Sequence, residues 1–169
     1  MRMLLLLPAV LGLAACDQSP SGKSPDGVIE ARVNMAPVAA NKAMTVMHER
    51  HEGMETIGKL MKQLSRDVKA DPLDVKSIRA SAAGMNSMAQ KSANWFPAGT
   101  GPELGKTGAK PEIWLKPQDF AAKLEAFQKS AAAFQSVAQG GNAGATRTAL
   151  ANLQNNCKAC HDLYRKKMH

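Results

Sequence analysis

The segment Asn156-Cys157-Lys158-Ala159-Cys160-His161, eight residues short of the C-terminus, constrains this chain more than any other. Two cysteines three positions apart, with a histidine directly after the second, form the attachment signature of c-type haem. The two thiols add across the porphyrin vinyl groups and leave thioether bonds, and the adjacent imidazole binds the iron from one face. Helical positions three apart point the same way, so a helix carries both sulfurs to one edge of a single ring. The same spacing also serves zinc and thiol–disulfide chemistry. Zinc needs two further ligands, usually at a matched second spacing, and the chain has no second Cys-x-x-Cys pair. A thioredoxin-like dithiol needs strand and helix patterns alternating around it, and none is visible. The motif therefore reads as one covalent haem c on Cys157 and Cys160, with His161 as an axial metal ligand.

The N-terminus agrees with export. Met1-Arg2-Met3 is a short basic start, and the apolar run over residues 4–15 falls far short of the ~20 residues a spanning helix needs. Residues 1–15 read as a signal peptide. They lead into Leu13-Ala14-Ala15-Cys16, which resembles a bacterial lipobox, where the cysteine is lipidated and becomes the first mature residue. That accounts for the third cysteine, Cys16. Ordinary cleavage nearby is the alternative and gives a soluble periplasmic protein. Asp17 resembles an inner-membrane retention signal. Residues 16–36 read as a lipid-anchored tether: 17–27 are rich in Ser, Pro and Gly without periodicity, and 28–36 are ambiguous.

Residues 37–169 are one domain by length. The formal net charge is +8, and loss of the signal peptide removes only Arg2 from that balance. Nucleic acid is not the expected partner, because no run of Lys and Arg is interleaved with aromatics. A basic surface on an exported protein suits an anionic membrane surface or an acidic redox partner.

Four stretches carry the three–four apolar rhythm of amphipathic helices. The first runs over 37–68, with Met47, Met54, Ile57, Met61, Leu64 and Val68 on one face and Pro37 in its first turn. The second is expected to start at Asp71-Pro72 and carries Val75, Ile78, Ala82, Met85 and Ala89. The third follows Pro117, carries Phe120, Leu124, Phe127, Ala131, Phe134 and Ala138, and stops at Gly140-Gly141. The fourth begins near Asn142 and carries Thr146, Leu150, Leu153, Cys157, Cys160 and Tyr164. Short connections make helices one and two, and three and four, antiparallel. A long connection over 92–116 holds Trp95 and Trp114 among prolines and glycines, and a loop of that length usually packs on something. No stretch alternates with period two. The fold class is all-α, an antiparallel up-down four-helix bundle with haem near the C-terminal helix.

These pieces resemble the cytochrome c′ family, including its low-spin, methionine-ligated relatives. The resemblance covers Met47 to the C-terminus. It is carried by Cys157-Lys158-Ala159-Cys160-His161-Asp162-Leu163-Tyr164-Arg165, by 95–102 (WFPAGTGP), and by 109–114 (AKPEIW) followed by Phe120. It implies haem lodged inside the bundle, often within a homodimer joined through the first two helices. It also implies an arginine on helix one and, four residues later, the side chain facing the open side of the iron. Arg50 and Met54 keep that spacing, whereas Met44 has Ala40 in place of the arginine. Met54 is thus the expected sixth ligand and Arg50 a haem-propionate contact. Methionines at 47, 54 and 61 also fit a heptad of core filler. Glycine inside a helix costs up to about 1 kcal/mol, so Gly53 and Gly58 suggest close approach to something flat. The family places a basic residue like Arg165 near the haem, and a helix C-terminus would favour that charge in any case. Tyr164 should pack in the bundle with its hydroxyl at the rim. His48, His51 and His169 should be exposed.

Two functions follow from the resemblance, neither an enzyme. With Met54 bound, the protein is a low-spin electron carrier with an unidentified redox partner. With the sixth site open, it binds small gases such as nitric oxide. A haem peroxidase would need a polar distal base, for which His51 is the one candidate.

Overall fold

The computed structural model describes residues 33–167. The signal-peptide and lipidation expectations at 1–15 and Cys16, and the exposure expected of His169, lie outside the described residues. Four long helices carry the fold: α1 (Ala40–Asp67), α2 (Val75–Lys91), α4 (Pro117–Gly140) and α5 (Ala143–Tyr164), with a four-residue α3 (Glu112–Leu115) inside the long connection. Among the described residues there is no strand, only an isolated antiparallel bridge between Ala109 and Arg165. No helix among them is long and apolar enough to cross a membrane.

Helix ends follow local chemistry. Asn142 caps α5, its side chain accepting from Ala145 N at 2.9 Å. Pro117 occupies the first turn of α4, and Gly141 ends that helix in the left-handed conformation, φ 67°. Two expected starts move. α1 begins at Ala40 rather than Pro37, without a side-chain cap. α2 begins at Val75, not at Asp71-Pro72, because Asp74 is the residue that caps it, accepting from Ser77 N at 3.0 Å. Asp71-Pro72 lies in the preceding turn as a cis peptide.

The apolar stripes face the core and are buried except at Met54, Met61, Val75, Cys157 and Cys160, which are half-buried. Leu64, Ile78, Met85, Phe120, Phe134 and Leu153 are almost wholly enclosed. α1 packs along α2, α2 along α4, and α4 along α5. The long connection is part of this core: Trp95, Phe96, Ile113 and Thr100 are buried. Phe96 meets Phe120 edge-to-face at 4.7 Å, and Phe120 meets Tyr164 in the same way at 5.2 Å, so loop, α4 and α5 share one aromatic contact chain. Trp114 Nε1 donates to the Pro97 carbonyl at 3.0 Å and folds the connection back on itself. At the other end of the described chain, Asn34 N donates to Ala93 O and Ala98 N to Met35 O, so 33–36 is ordered against the start of the connection.

The flat object against Gly53 is the indole of Trp95: a Cβ at Gly53 would overlap the six-membered ring. Gly53→Ala should therefore destabilise the fold by about 1–3 kcal/mol through overpacking. That outweighs the gain of up to about 1 kcal/mol from alanine's helix propensity. Urea titration followed by circular dichroism measures the balance, and a more stable variant would show that Trp95 does not press on α1.

Candidate haem site

Cys157 and Cys160 lie on the inner side of α5, half-buried against the hydrophobic core. Burial raises both thiol pKa values. Cys160 is pushed up to about 11 by burial first and then by Cys157, with Lys123 opposing. A redox or metal-binding dithiol needs the thiolate and an environment that lowers the pKa, and this one does the reverse. Nor do further metal ligands gather at the pair. Among the described residues the one group of three or more potential ligands is His51, Glu52 and Glu55, exposed on α1. His161 keeps much of its surface exposed. What shelter it has, together with the Arg165 charge, holds its imidazole below the ordinary range, with Asp162 opposing. A neutral imidazole is the form that binds iron.

The opposite wall is a strip of α1. α5 and α1 are joined near one end, where Arg147 Nε donates to the Val68 carbonyl at 2.9 Å and Gln154 Nε2 to Ser65 Oγ at 3.2 Å. These contacts make the two helices antiparallel. Ser65 shares its face of α1 with Met61, Gly58 and Met54 at three–four spacing. Beyond those contacts α1 and α5 are not among the closely packed helix pairs. Counted from the Gln154–Ser65 contact His161 comes level with Gly58, and counted from the Arg147–Val68 contact with Met54, so the two contacts together set it against the 54–58 stretch of α1. Met54 and Met61 lie on either side of Gly58, about 6 Å and about 4.5 Å from it along the axis at 1.5 Å per residue. Both methionines are half-buried against the core. A Cβ at Gly58 would meet nothing within 4 Å, in contrast to Gly53. Two thiols, an imidazole and an uncrowded thioether-lined strip are a donor set that fits haem c.

The family model described as Cytochrome C' matches residues 45–165. The chain belongs to the cytochrome c′ family. It is 36% identical over 124 residues to a cytochrome c′ of Pararhodospirillum photometricum, covering 69% of this chain and 93% of that one. Cytochrome c-556 of Agrobacterium tumefaciens (strain B2A) is 34% identical over 121 residues, 70% of this chain and 96% of that one. A ferrous variant of cytochrome c prime from Alcaligenes xylosoxidans with bound NO superposes with a TM-score of 0.69 at 26% identity, covering 78% of this chain and 100% of that chain. As in the rest of the cytochrome c′ family, the cofactor is covalently attached haem c.

Within this cytochrome c′ fold the remaining expected residues fall as follows. Arg165 closes α5, and its charge acts directly on the His161 imidazole. Tyr164 is buried and its hydroxyl donates to Asp119; burial first, then that carboxylate, push its pKa up to about 12. His48 and His51 are exposed, and His51 Nε2 lies 3.5 Å from Glu55.

Arg50, expected as a haem-propionate contact, is held by the protein itself. Its guanidinium lies beneath the long connection, donating to Trp95 O (3.0 Å), Thr100 O (2.8 Å), Thr100 Oγ1 (3.1 Å) and Thr107 Oγ1 (3.2 Å). It also stacks over Phe96 and Trp114 at 5.3 and 5.8 Å. Burial pushes its pKa down to about 10, with Glu103 opposing, so it stays charged at neutral pH. The physical reason is acceptor supply: buried loop carbonyls and hydroxyls need donors, and one planar fork serves four bonds. Arg50→Ala leaves these acceptors unpaired and should cost about 2–4 kcal/mol. Arg50→Lys should recover little of it, because a point ammonium cannot span the same acceptors. Thermal melts of both variants test this. Thr100 and Thr107 were not legible as clamp residues, because their partner lies 50 and 57 positions away.

Proposed function

We propose that the protein is a periplasmic electron carrier, with His161 and Met54 as the two axial ligands of its haem c. The observation that supports the reading is the antiparallel pairing of α1 with α5, since half-buried Met54 and Met61 share a face of α1 with Ser65, which Gln154 of α5 contacts. The Arg50–Met54 spacing shared with the family selects Met54 over Met61. Haem c supplies a one-electron ferric/ferrous couple, and a thioether ligand raises its potential. The chain's own residues hold the group by Cys157 and Cys160, orient the imidazole and shield the site with the loop that Arg50 clamps. Arg165 contributes a positive charge beside the proximal ligand. Absorption spectra of the purified oxidised and reduced holoprotein test the assignment: a low-spin ferric spectrum supports it, and a high-spin one overturns it.

A second reading keeps the sixth site open for nitric oxide. It is favoured by the NO-bound Alcaligenes xylosoxidans protein of the same fold. A homodimer through α1 and α2 is compatible with either reading and is read by sedimentation.

Cys16 is proposed as the lipid anchor. Mature protein should begin at a modified Cys16 in mass spectrometry and fractionate with membranes through a salt wash, since more than one acyl chain gives stable attachment. An unmodified N-terminus downstream of Cys16 would remove the anchor and leave a soluble periplasmic protein.

A further inference from the structure

The end of the bundle where α1 begins and α5 finishes differs from the rest of the surface in two ways. The first is charge. Lys110 N donates to Tyr164 O at 2.9 Å and Lys166 N to Gly108 O at 2.8 Å, on either side of the Ala109–Arg165 bridge. This two-stranded ribbon brings Lys106 and Lys110 beside Arg165, Lys166 and Lys167, all exposed except the half-buried Lys110. None of the five makes an ion pair among the described residues. Among the neighbouring carboxylates Asp162 pairs with Lys158, and the other three, Asp119, Glu103 and Glu112, are outnumbered by the five cations of the ribbon.

The second is apolar exposure. The exposed large hydrophobic side chains of the described residues are Met44, Leu104, Leu115 and Leu163. They lie in the first turns of α1, in the long connection, in α3 and in the last turn of α5, so all four belong to this end. The ribbon starts three residues after His161 and carries Arg165, whose charge reaches that imidazole. Basic groups around scattered apolar contacts, next to the haem-bearing helix turn, are what a charge-steered protein contact needs.

We propose that this end is the docking face for an acidic electron-transfer protein. Its carboxylates meet Lys106, Lys166 and Lys167, and its apolar contact seats on Leu115 and Leu163. The proposal rests on the electron-carrier reading above. An acidic protein suits the surface better than a lipid bilayer. The apolar side chains stand on four separate elements, and none forms the continuous apolar face of a membrane-lying helix.

The test uses holoprotein and reduced flavodoxin, an acidic flavoprotein, as the probe in stopped flow. The second-order rate of haem reduction should fall steeply with ionic strength. Combined Lys106→Glu, Lys166→Glu and Lys167→Glu should slow it about tenfold or more at low salt, as rim charges act on association. Lys62→Glu, Lys69→Glu and Lys76→Glu together, toward the opposite end, should change it less than twofold. Equal slowing by both triple variants would assign the effect to net charge and overturn the docking face. So would a salt-independent rate. Sedimentation with phosphatidylglycerol vesicles that the first triple variant loses, with its flavodoxin rate unchanged, would assign the face to lipid instead. Reduction of every variant by dithionite, with unchanged spectra, separates docking failure from loss of the haem site. The ferric spin state reports the Met54 reading independently.

Discussion

Replacing Cys157 and Cys160 together with alanine should take covalently retained haem from nearly all of the protein to none of it. The measurement is simple: denature, extract with acid acetone, and read haem in the protein and solvent fractions. Thioether bonds survive unfolding, whereas a lone iron–imidazole bond does not outlast loss of the fold that orients His161. Each single variant should keep one thioether and stay coloured after extraction, so the double variant carries the full effect. The same substitution should lower thermal stability, because a group bound to the folded state and lost from it no longer favours folding. Haem released freely from the unaltered chain would remove the attachment reading and, with it, the account of why two high-pKa thiols face the core of α5.

The bundle was readable because its information is local. Phe120, Leu124, Phe127, Ala131, Phe134 and Ala138 repeat with the period of one helix face, and the structure buries every one of them. Pro117, Gly141 and Asn142 act within a turn of themselves, so α4 and α5 start and stop where their sequence says. The start of α2 lies three residues later than expected because two aspartates compete as caps: Asp71 precedes a proline, but it is Asp74 that accepts from Ser77 N. The haem motif was legible for the same reason as the helices, since its three ligands sit within five residues. The distal wall was not, because it depends on pairing between positions some ninety residues apart, such as Gln154 with Ser65. Arg50 shows the same limit. Its spacing to Met54 is visible in the chain, but the loop acceptors that occupy its guanidinium are not. Gly53 was correctly read as a place of close approach, while the partner, Trp95, emerges only when the long connection folds back over α1.

Met54→Ala should convert a low-spin ferric spectrum almost completely to a high-spin one, open the reduced iron to carbon monoxide and nitric oxide, and lower the reduction potential. The direction of the potential shift follows from the thioether, which favours ferrous iron and is removed. Met61→Ala is the informative companion, because Met61 lies on the same face of α1 and on the other side of the Gly58 level. If Met61 is core filler, its truncation costs about 1–2 kcal/mol for a half-buried side chain, below the range for full burial, and the low-spin spectrum remains. If the two results exchange places, Met61, on the other side of Gly58, is the ligand. A ferric protein that is already high-spin, and that neither substitution alters, leaves both methionines to packing. The open-site, gas-binding reading then becomes the account of this haem. The three outcomes are separable because α1 offers thioethers at only two positions near His161, one on either side of a glycine that leaves the space between them uncrowded.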